Sequence, residues 1–121
     1  MEPVLILKTS CVLLALAAIA GVLMAVIRFG GKPHPPSWSA MLHGFIAAAG
    51  LTLLAYACAT TTVPRLAFAA LALFLLAALG GVVLNLRFHL RDVALPIWLM
   101  VMHAVVAVLG FLCLLLAAFG A

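Results

Sequence analysis

Two histidines at an offset of 60 residues are the side chains of this sequence best suited to metal chemistry. His43 and His103 each lie seven residues beyond a proline and inside a strongly apolar segment. Imidazole is the commonest protein ligand for metals, and two imidazoles at equal depth in a membrane could bind one metal from opposite sides. Ionisable side chains within a bilayer are costly and are a functional site by default. The pair is therefore the first candidate site.

The two histidines lie within a duplicated pattern. Pro36 and Trp38 precede the first, and Pro96 and Trp98 precede the second. From the histidines onward the matching positions are His43/His103, Ala47/Ala107, Gly50/Gly110, Leu54/Leu114 and Ala57/Ala117. Steps of four and three residues place them on one stripe of a helix. The pattern predicts two parallel repeats, residues 1–60 and 61–121, related by an axis along the membrane normal, with both histidines facing that axis.

The composition indicates which elements must position this pair. The 121 residues are 70% hydrophobic and 7% charged, with a mean hydropathy of +1.49, whereas soluble domains are about 45–50% apolar and about 25% charged. We predict a single all-α transmembrane domain, residues 1–121, folded as a four-helix bundle in the lipid bilayer. The predicted spans are residues 4–29, 38–60, 65–86 and 95–119. The net charge of +4 gives no reason to expect nucleic acid as a partner.

Short breaks between the spans predict antiparallel hairpins. Lys and Arg concentrate at the first and third breaks, at Arg28, Lys32, Arg87 and Arg91, against Lys8 and Arg65 at the other end. The positive-inside rule then places these two breaks in the cytoplasm and both termini outside. We expect an integral protein of a bacterial inner membrane. Ala18-Ile19-Ala20 resembles a signal-peptidase site, but the acidic Glu2 replaces a basic leader, so the first segment is interpreted as a retained span.

Ligation of iron would use the lone pair that a buried imidazole otherwise leaves unpaired. We therefore predict one haem b between the second and fourth helices, with His43 and His103 as its metal ligands. Small residues on the same stripes would leave room for the macrocycle, namely Ala47, Gly50, Ala107 and Gly110. Each Nδ1–H needs an acceptor, for which we expect Ser39 beside His43 and the carbonyl of Leu99 beside His103.

Arginine side chains near the first and third breaks could bind the carboxylates of such a cofactor. Arg28, Arg87 and Arg91 lie towards the side to which haem propionates would point, and the guanidinium fork suits a carboxylate. We include these residues in the predicted cofactor site, although the topology rule by itself also accounts for their position.

Four spans with two histidines on different helices resemble small membrane b-type cytochromes, such as b561-like proteins and the haem-bearing anchor subunits of succinate dehydrogenase. The resemblance implies electron transfer and carries over only to His43 and His103. The b561 families hold two haems on four histidines, whereas His34 and His89 do not match across the duplication. We therefore predict one haem, which exchanges electrons with a quinone or another membrane redox subunit, in a homo- or hetero-oligomer.

The alternative function is a non-catalytic accessory subunit of a larger membrane complex. Its histidines would be structural or would bind another tetrapyrrole, such as bacteriochlorophyll. A copper site with Met41, Met100 and Met102 has less support, because these methionines do not match between the repeats.

Other chemistry finds little support in the sequence. A proton-coupled multidrug exchanger needs an acid within the membrane, and the two acids are Glu2 and Asp92, at an end and in a loop. The sequence contains no Ser/His/Asp set, paired carboxylates or phosphate-binding loop, so an electron-transfer component is expected rather than a self-contained enzyme. Cysteines 11, 58 and 113 have no CxxC spacing and are interpreted as small apolar residues.

Overall fold

Four long helices make up the computed structural model, which describes residues 2–120 and has no strand among them. The helices are α1 (Pro3–Phe29), α2 (Ser37–Thr60), α3 (Arg65–Val83) and α4 (Ile97–Phe119). A π-helical turn (Leu84–Phe88) and a 3-10 turn (His89–Arg91) continue α3. All four helical segments are long and apolar enough to cross a membrane. The predicted class, an all-α membrane protein with a four-helix bundle, is confirmed.

Prolines determine where three of the four helices begin. Pro36, Pro64 and Pro96 each precede the first residue of a helix. Their backbone conformation is not helical, so each proline is the last residue of the preceding loop. The helices begin and end within two residues of the predicted spans, with one exception. The third helical segment continues to Arg91 instead of ending near Leu86, because the π-helical and 3-10 turns carry the chain on from the end of α3.

The helices form two antiparallel hairpins. Helix α1 packs mainly on α2, and α3 packs mainly on α4, while α1 meets α4 and α2 meets α3 over smaller areas. Helices α2 and α4 therefore lie on a diagonal of the bundle. We call the end with the first loop (residues 30–36) and the third loop (residues 92–96) the loop end. The opposite end, with the second loop (residues 61–64), is called the terminal end.

Side-chain packing divides the bundle into two halves. The terminal half contains the core, formed by Ile6, Leu7, Cys11, Leu14, Leu54, Ala57, Ala67, Ala70, Phe74, Leu114, Ala117 and Ala118. The loop half comprises helix residues 18–29, 37–49, 78–88 and 97–109, and none of these is buried. Its end is closed by three buried residues, Pro35 and Leu95 in the loops and His89 in the 3-10 turn. Both candidate ligands, His43 and His103, lie in this loop half.

Two glycines allow close helix contact in the terminal half. A Cβ atom on Gly50 would lie 2.7 Å from Cγ of Leu14, and one on Gly110 would lie 3.2 Å from Cβ of Leu73 and 3.4 Å from the ring of Phe74. Gly50 and Gly110 thus bring α1 against α2 and α3 against α4. Their role in the structure is helix packing rather than the macrocycle space expected from the sequence.

Candidate functional site

The imidazoles of His43 and His103 face each other across the bundle. His43 projects from α2 and His103 from α4, the two helices on the diagonal. Their ring centroids are 6.2 Å apart, and the ring planes are inclined by 71°. Both side chains are half-buried. The structure therefore brings together the two residues that the sequence singled out.

A backbone carbonyl holds each imidazole in place. Nδ1 of His43 donates to the carbonyl of Ala17 at 2.7 Å, and Nδ1 of His103 donates to the carbonyl of Ala77 at 2.7 Å. A carbonyl oxygen can only accept, so in both residues the proton lies on Nδ1. The Nε2 atoms make no hydrogen bond within residues 2–120. Such fixing of one nitrogen, which leaves the other as a lone-pair donor, is typical of histidines that bind metals.

The acceptors lie on the neighbouring helix and differ from those expected. The hydroxyl of Ser39 donates instead to the carbonyl of Pro36 at 2.6 Å, and the carbonyl that His103 uses is that of Ala77 rather than Leu99. The expectation for Ser39 and Leu99 was therefore wrong. The physical reason is that Gly21 on α1 and Gly81 on α3 leave room for each imidazole to reach the backbone of the neighbouring helix.

Two glycines on these neighbouring helices make that approach possible. A Cβ atom on Gly21 would lie 3.1 Å from Cε1 of His43, and one on Gly81 would lie 3.2 Å from Cε1 of His103. Real Cβ atoms seldom come so close to another atom. We call these two positions the glycine sockets. The residues and contacts of the two sockets correspond at the same offset of 60, as the predicted duplication would require.

The remaining residues of the predicted site differ in their burial and in their hydrogen bonds. Ala47 and Ala107 are half-buried on the helices that carry the histidines. Nε of Arg28 donates to the carbonyl of Leu95 at 3.0 Å. Arg87 and Arg91 are exposed, and within the described chain neither forms a side-chain hydrogen bond or ion pair. Two of the methionines weighed for copper, Met41 and Met102, are exposed at 59% and 58% and do not converge on the pair.

The donor set limits the kind of group that could bind here. Among residues 2–120, no group of three or more His, Cys, Asp or Glu side chains is arranged to hold a metal ion. Two imidazoles alone leave most coordination positions of a metal unfilled. A cofactor that brings its own equatorial ligands needs only two axial ligands from the protein, and this is what the pair can supply.

A lipid-facing groove reaches one of the two histidines. Helices α3 and α4 leave an open groove of about 310 Å³, lined by apolar side chains together with His103. A similar groove of about 320 Å³ lies between α1 and α2, but its lining includes Ser39 and Trp38 and not His43.

Three polar residues at the loop end were not recognised as a group from the sequence. The rings of His34 and His89 lie 4.8 Å apart, and Nε2 of His34 lies 3.1 Å from Oδ1 of Asp92. His34 and His89 do not match across the duplication, so a comparison of the repeats misses them. The hairpin topology could have found them, because it places the first and third loops at the same end.

Comparisons with known proteins give no relative from which a role could be transferred. No protein-family model, no curated protein and no solved structure matches the chain. Any functional assignment therefore depends on the chemistry of the residues described above.

Proposed function

We propose that this integral membrane protein binds one b-type haem through His43 and His103 and transfers electrons within the bilayer. The observation that carries the proposal is the facing pair of imidazoles, each with Nδ1–H bonded to a carbonyl and Nε2 free of hydrogen bonds. An imidazole in hydrocarbon with an unused lone pair is costly. Ligation would remove that cost at both residues.

The separation of the rings suits a shared metal. One metal held by both residues would require their imidazoles to be close neighbours. The observed separation is 6.2 Å. The value supports ligation of one iron by both residues.

The surroundings of the pair also suit a bulky apolar group. No helix residue in the loop half is buried, and small residues such as Gly21 and Gly81 lie directly beside the imidazoles. In the terminal half, by contrast, buried side chains form a continuous core. A macrocycle between the hairpins would give the loop half the packing that its own side chains do not provide.

The protein would contribute orientation and electrostatics, while the haem would supply a one-electron couple. The carbonyls of Ala17 and Ala77 fix the ring orientation and make Nε2 more basic. The apolar helices keep water from the pair. Arg28, Arg87 and Arg91 at the loop end offer guanidinium groups for propionates. Ala47 and Ala107 remain part of the proposed site, whereas Gly50 and Gly110 do not.

The proposed exchange partner is a quinone or another membrane redox subunit. The groove between α3 and α4 is apolar, opens to lipid and includes His103. A lipid-soluble carrier could therefore approach the site without leaving the bilayer. The distribution of Lys and Arg favours a bacterial inner membrane orientation with the first and third loops in the cytoplasm.

The test is a reduced-minus-oxidised visible spectrum of the purified chain. We expect sharp α and Soret bands of a six-coordinate b haem, and we expect His43→Ala and His103→Ala each to abolish them. His34→Ala removes a histidine outside the pair and should keep the bands. Circular dichroism checks that each variant is still helical. Unchanged bands in both site variants would contradict the proposal.

A second candidate is an accessory subunit of a larger membrane complex. It is favoured by the large exposed apolar surface of all four helices and by the short connections, which leave little surface for a soluble partner. A featureless spectrum from a folded protein would favour this candidate. The histidines would then be structural or would bind another tetrapyrrole, such as bacteriochlorophyll, presented by that complex.

A further inference from the structure

The first and third loops are joined at the loop end by polar contacts. The amide of Leu95 donates to the carbonyl of Pro33 at 3.0 Å, and Nε of Arg28 donates to the carbonyl of Leu95 at 3.0 Å. His34 in the first loop contacts Asp92 in the third loop. These contacts connect one hairpin to the other in the half of the bundle where no helix residue is buried.

His34 lies between two hydrogen-bond acceptors. Its Nδ1 is 3.1 Å from the carbonyl of Pro35, and its Nε2 is 3.1 Å from the carboxylate of Asp92. Neither a carbonyl nor an ionised carboxylate can donate a proton. Both contacts are hydrogen bonds only when both ring nitrogens carry hydrogen.

His89 packs against His34 under different constraints. It is 5% exposed, its ring centroid lies 4.8 Å from that of His34, and its Nε2 is buried with no hydrogen-bond partner in the described chain. A proton on that atom would be buried without an acceptor and next to a cation. His89 must therefore be neutral while His34 is charged.

No other charged group pairs with His34, His89 or Asp92 in the part of the chain that the structure describes. Lys32 in the first loop and Arg87 and Arg91 before Asp92 are exposed. Within residues 2–120 the pair of His34 with Asp92 is the one ion pair. Arg28, at the end of α1, is engaged with a carbonyl. The charge states of His34, Asp92 and His89 therefore govern the one side-chain contact that joins the two loops directly, that of His34 with Asp92.

We propose that His34, His89 and Asp92 form a pH-sensitive latch that holds the two hairpins together at the loop end. The closed latch contains charged His34, charged Asp92 and neutral His89. Loss of the proton from His34, or gain of a proton by Asp92 or His89, opens it. The latch thus connects the hairpin that carries His43 with the hairpin that carries His103.

Hydrogen exchange of the Leu95 amide tests the latch in the full chain in lipid nanodiscs. We expect its protection factor, corrected for intrinsic exchange, to be highest at an intermediate pH and to fall about fivefold both at higher pH and at lower pH. The amide of Thr61, bonded to the carbonyl of Ala57 at the terminal end, is the internal control and should not change.

Two variants separate the latch from a general pH effect on exchange. His34→Gln and Asp92→Asn both replace a titrating group with an amide, and asparagine accepts the left-handed backbone of position 92, where φ is 52°. Each variant should show a low and pH-independent protection factor at Leu95 with normal protection at Thr61. A flat profile in the wild-type protein, or a wild-type profile in both variants, would overturn the proposal.

Discussion

The terminal half and the loop half of this bundle have the same four helices but different interiors. In the terminal half, leucine, phenylalanine and alanine side chains fill the space between helices, and Leu54 and Leu114 are completely buried. In the loop half no helix residue is buried. The interior of that half includes two imidazoles, each of which lies against a glycine of the neighbouring helix. The comparison teaches that apolar packing specifies one half, whereas directed polar contacts specify the other.

Glycine illustrates the difference between the halves. Gly50 in the terminal half lies against an aliphatic side chain, Leu14, whereas Gly21 and Gly81 in the loop half lie against imidazoles. All three allow two helices to approach closely, which is the usual effect of small residues in membrane helices. In the terminal half the approach stabilises the bundle. In the loop half it orients the ring of a candidate ligand.

The largest effect on stability is expected in the terminal half. Gly50→Ala would place a Cβ atom 2.7 Å from Cγ of Leu14, a side chain that is itself buried. Overpacking of this kind costs about 1–3 kcal/mol, so the free energy of unfolding should fall by about that amount. Reversible unfolding in mixed detergent micelles, followed by circular dichroism, measures it.

The matched control lies on the same helix in the loop half. A Cβ atom on Gly44 would meet no atom within 4 Å, so Gly44→Ala should not lower stability and gains up to about 1 kcal/mol of helix propensity. If both variants unfold at the same detergent composition, close packing at Gly50 does not stabilise the terminal half. The two halves would then not differ in their dependence on apolar packing.

The sequence could predict the helices and the histidine pair because both depend on local patterns. Apolar length defines the spans, and the repeat places His43 and His103 at equal depth. The hydrogen-bond partners could not be predicted, since the carbonyls of Ala17 and Ala77 are backbone groups with no signature in residue type. His89 was missed for a related reason. A π-helical turn over Leu84–Phe88 precedes it, and neither this turn nor the burial of His89 can be read from helical periodicity.

A smaller effect is expected at the second glycine socket. Gly81→Ala would bring a Cβ atom to 3.2 Å from Cε1 of His103, whereas Gly80→Ala, one residue earlier, would place its Cβ at 3.7 Å from Nδ1 of the same ring. The first substitution forces the imidazole to move, and the second makes an ordinary contact. We expect Gly81→Ala to weaken haem binding about tenfold, equivalent to about 1.4 kcal/mol, and Gly80→Ala to leave it within about twofold. Titration of the purified apoprotein with haem measures both affinities.

The pairing of these two variants separates ring orientation from helix stability. Both replace glycine by alanine in the same helix, so their effects on helix propensity are the same. Wild-type affinity in both variants would mean that the orientation of the His103 ring does not matter for binding. Loss of binding in both would indicate that the α3–α4 contact as a whole is required, rather than the socket.

The smallest expected effect tests whether polar contacts matter in the terminal half as well. The hydroxyl of Ser10 is fully buried and donates to the carbonyl of Gly50 at 2.7 Å, between α1 and α2. Hydrogen bonds between membrane helices contribute on average about 0.6 kcal/mol, so Ser10→Ala should lower the free energy of unfolding by about that amount. Thr52→Ala is the control, because the Thr52 hydroxyl is exposed and bonds within its own helix to Ala48. A loss of 2 kcal/mol or more for Ser10→Ala, on the order of the Gly50→Ala effect, would show that a directed polar contact specifies the terminal half too. A loss of about 0.6 kcal/mol for Ser10→Ala, with no loss for Thr52→Ala, would mean that the packing of apolar side chains is the main determinant of the terminal half. Polar contacts between helices would then be decisive only in the loop half, which contains the histidines.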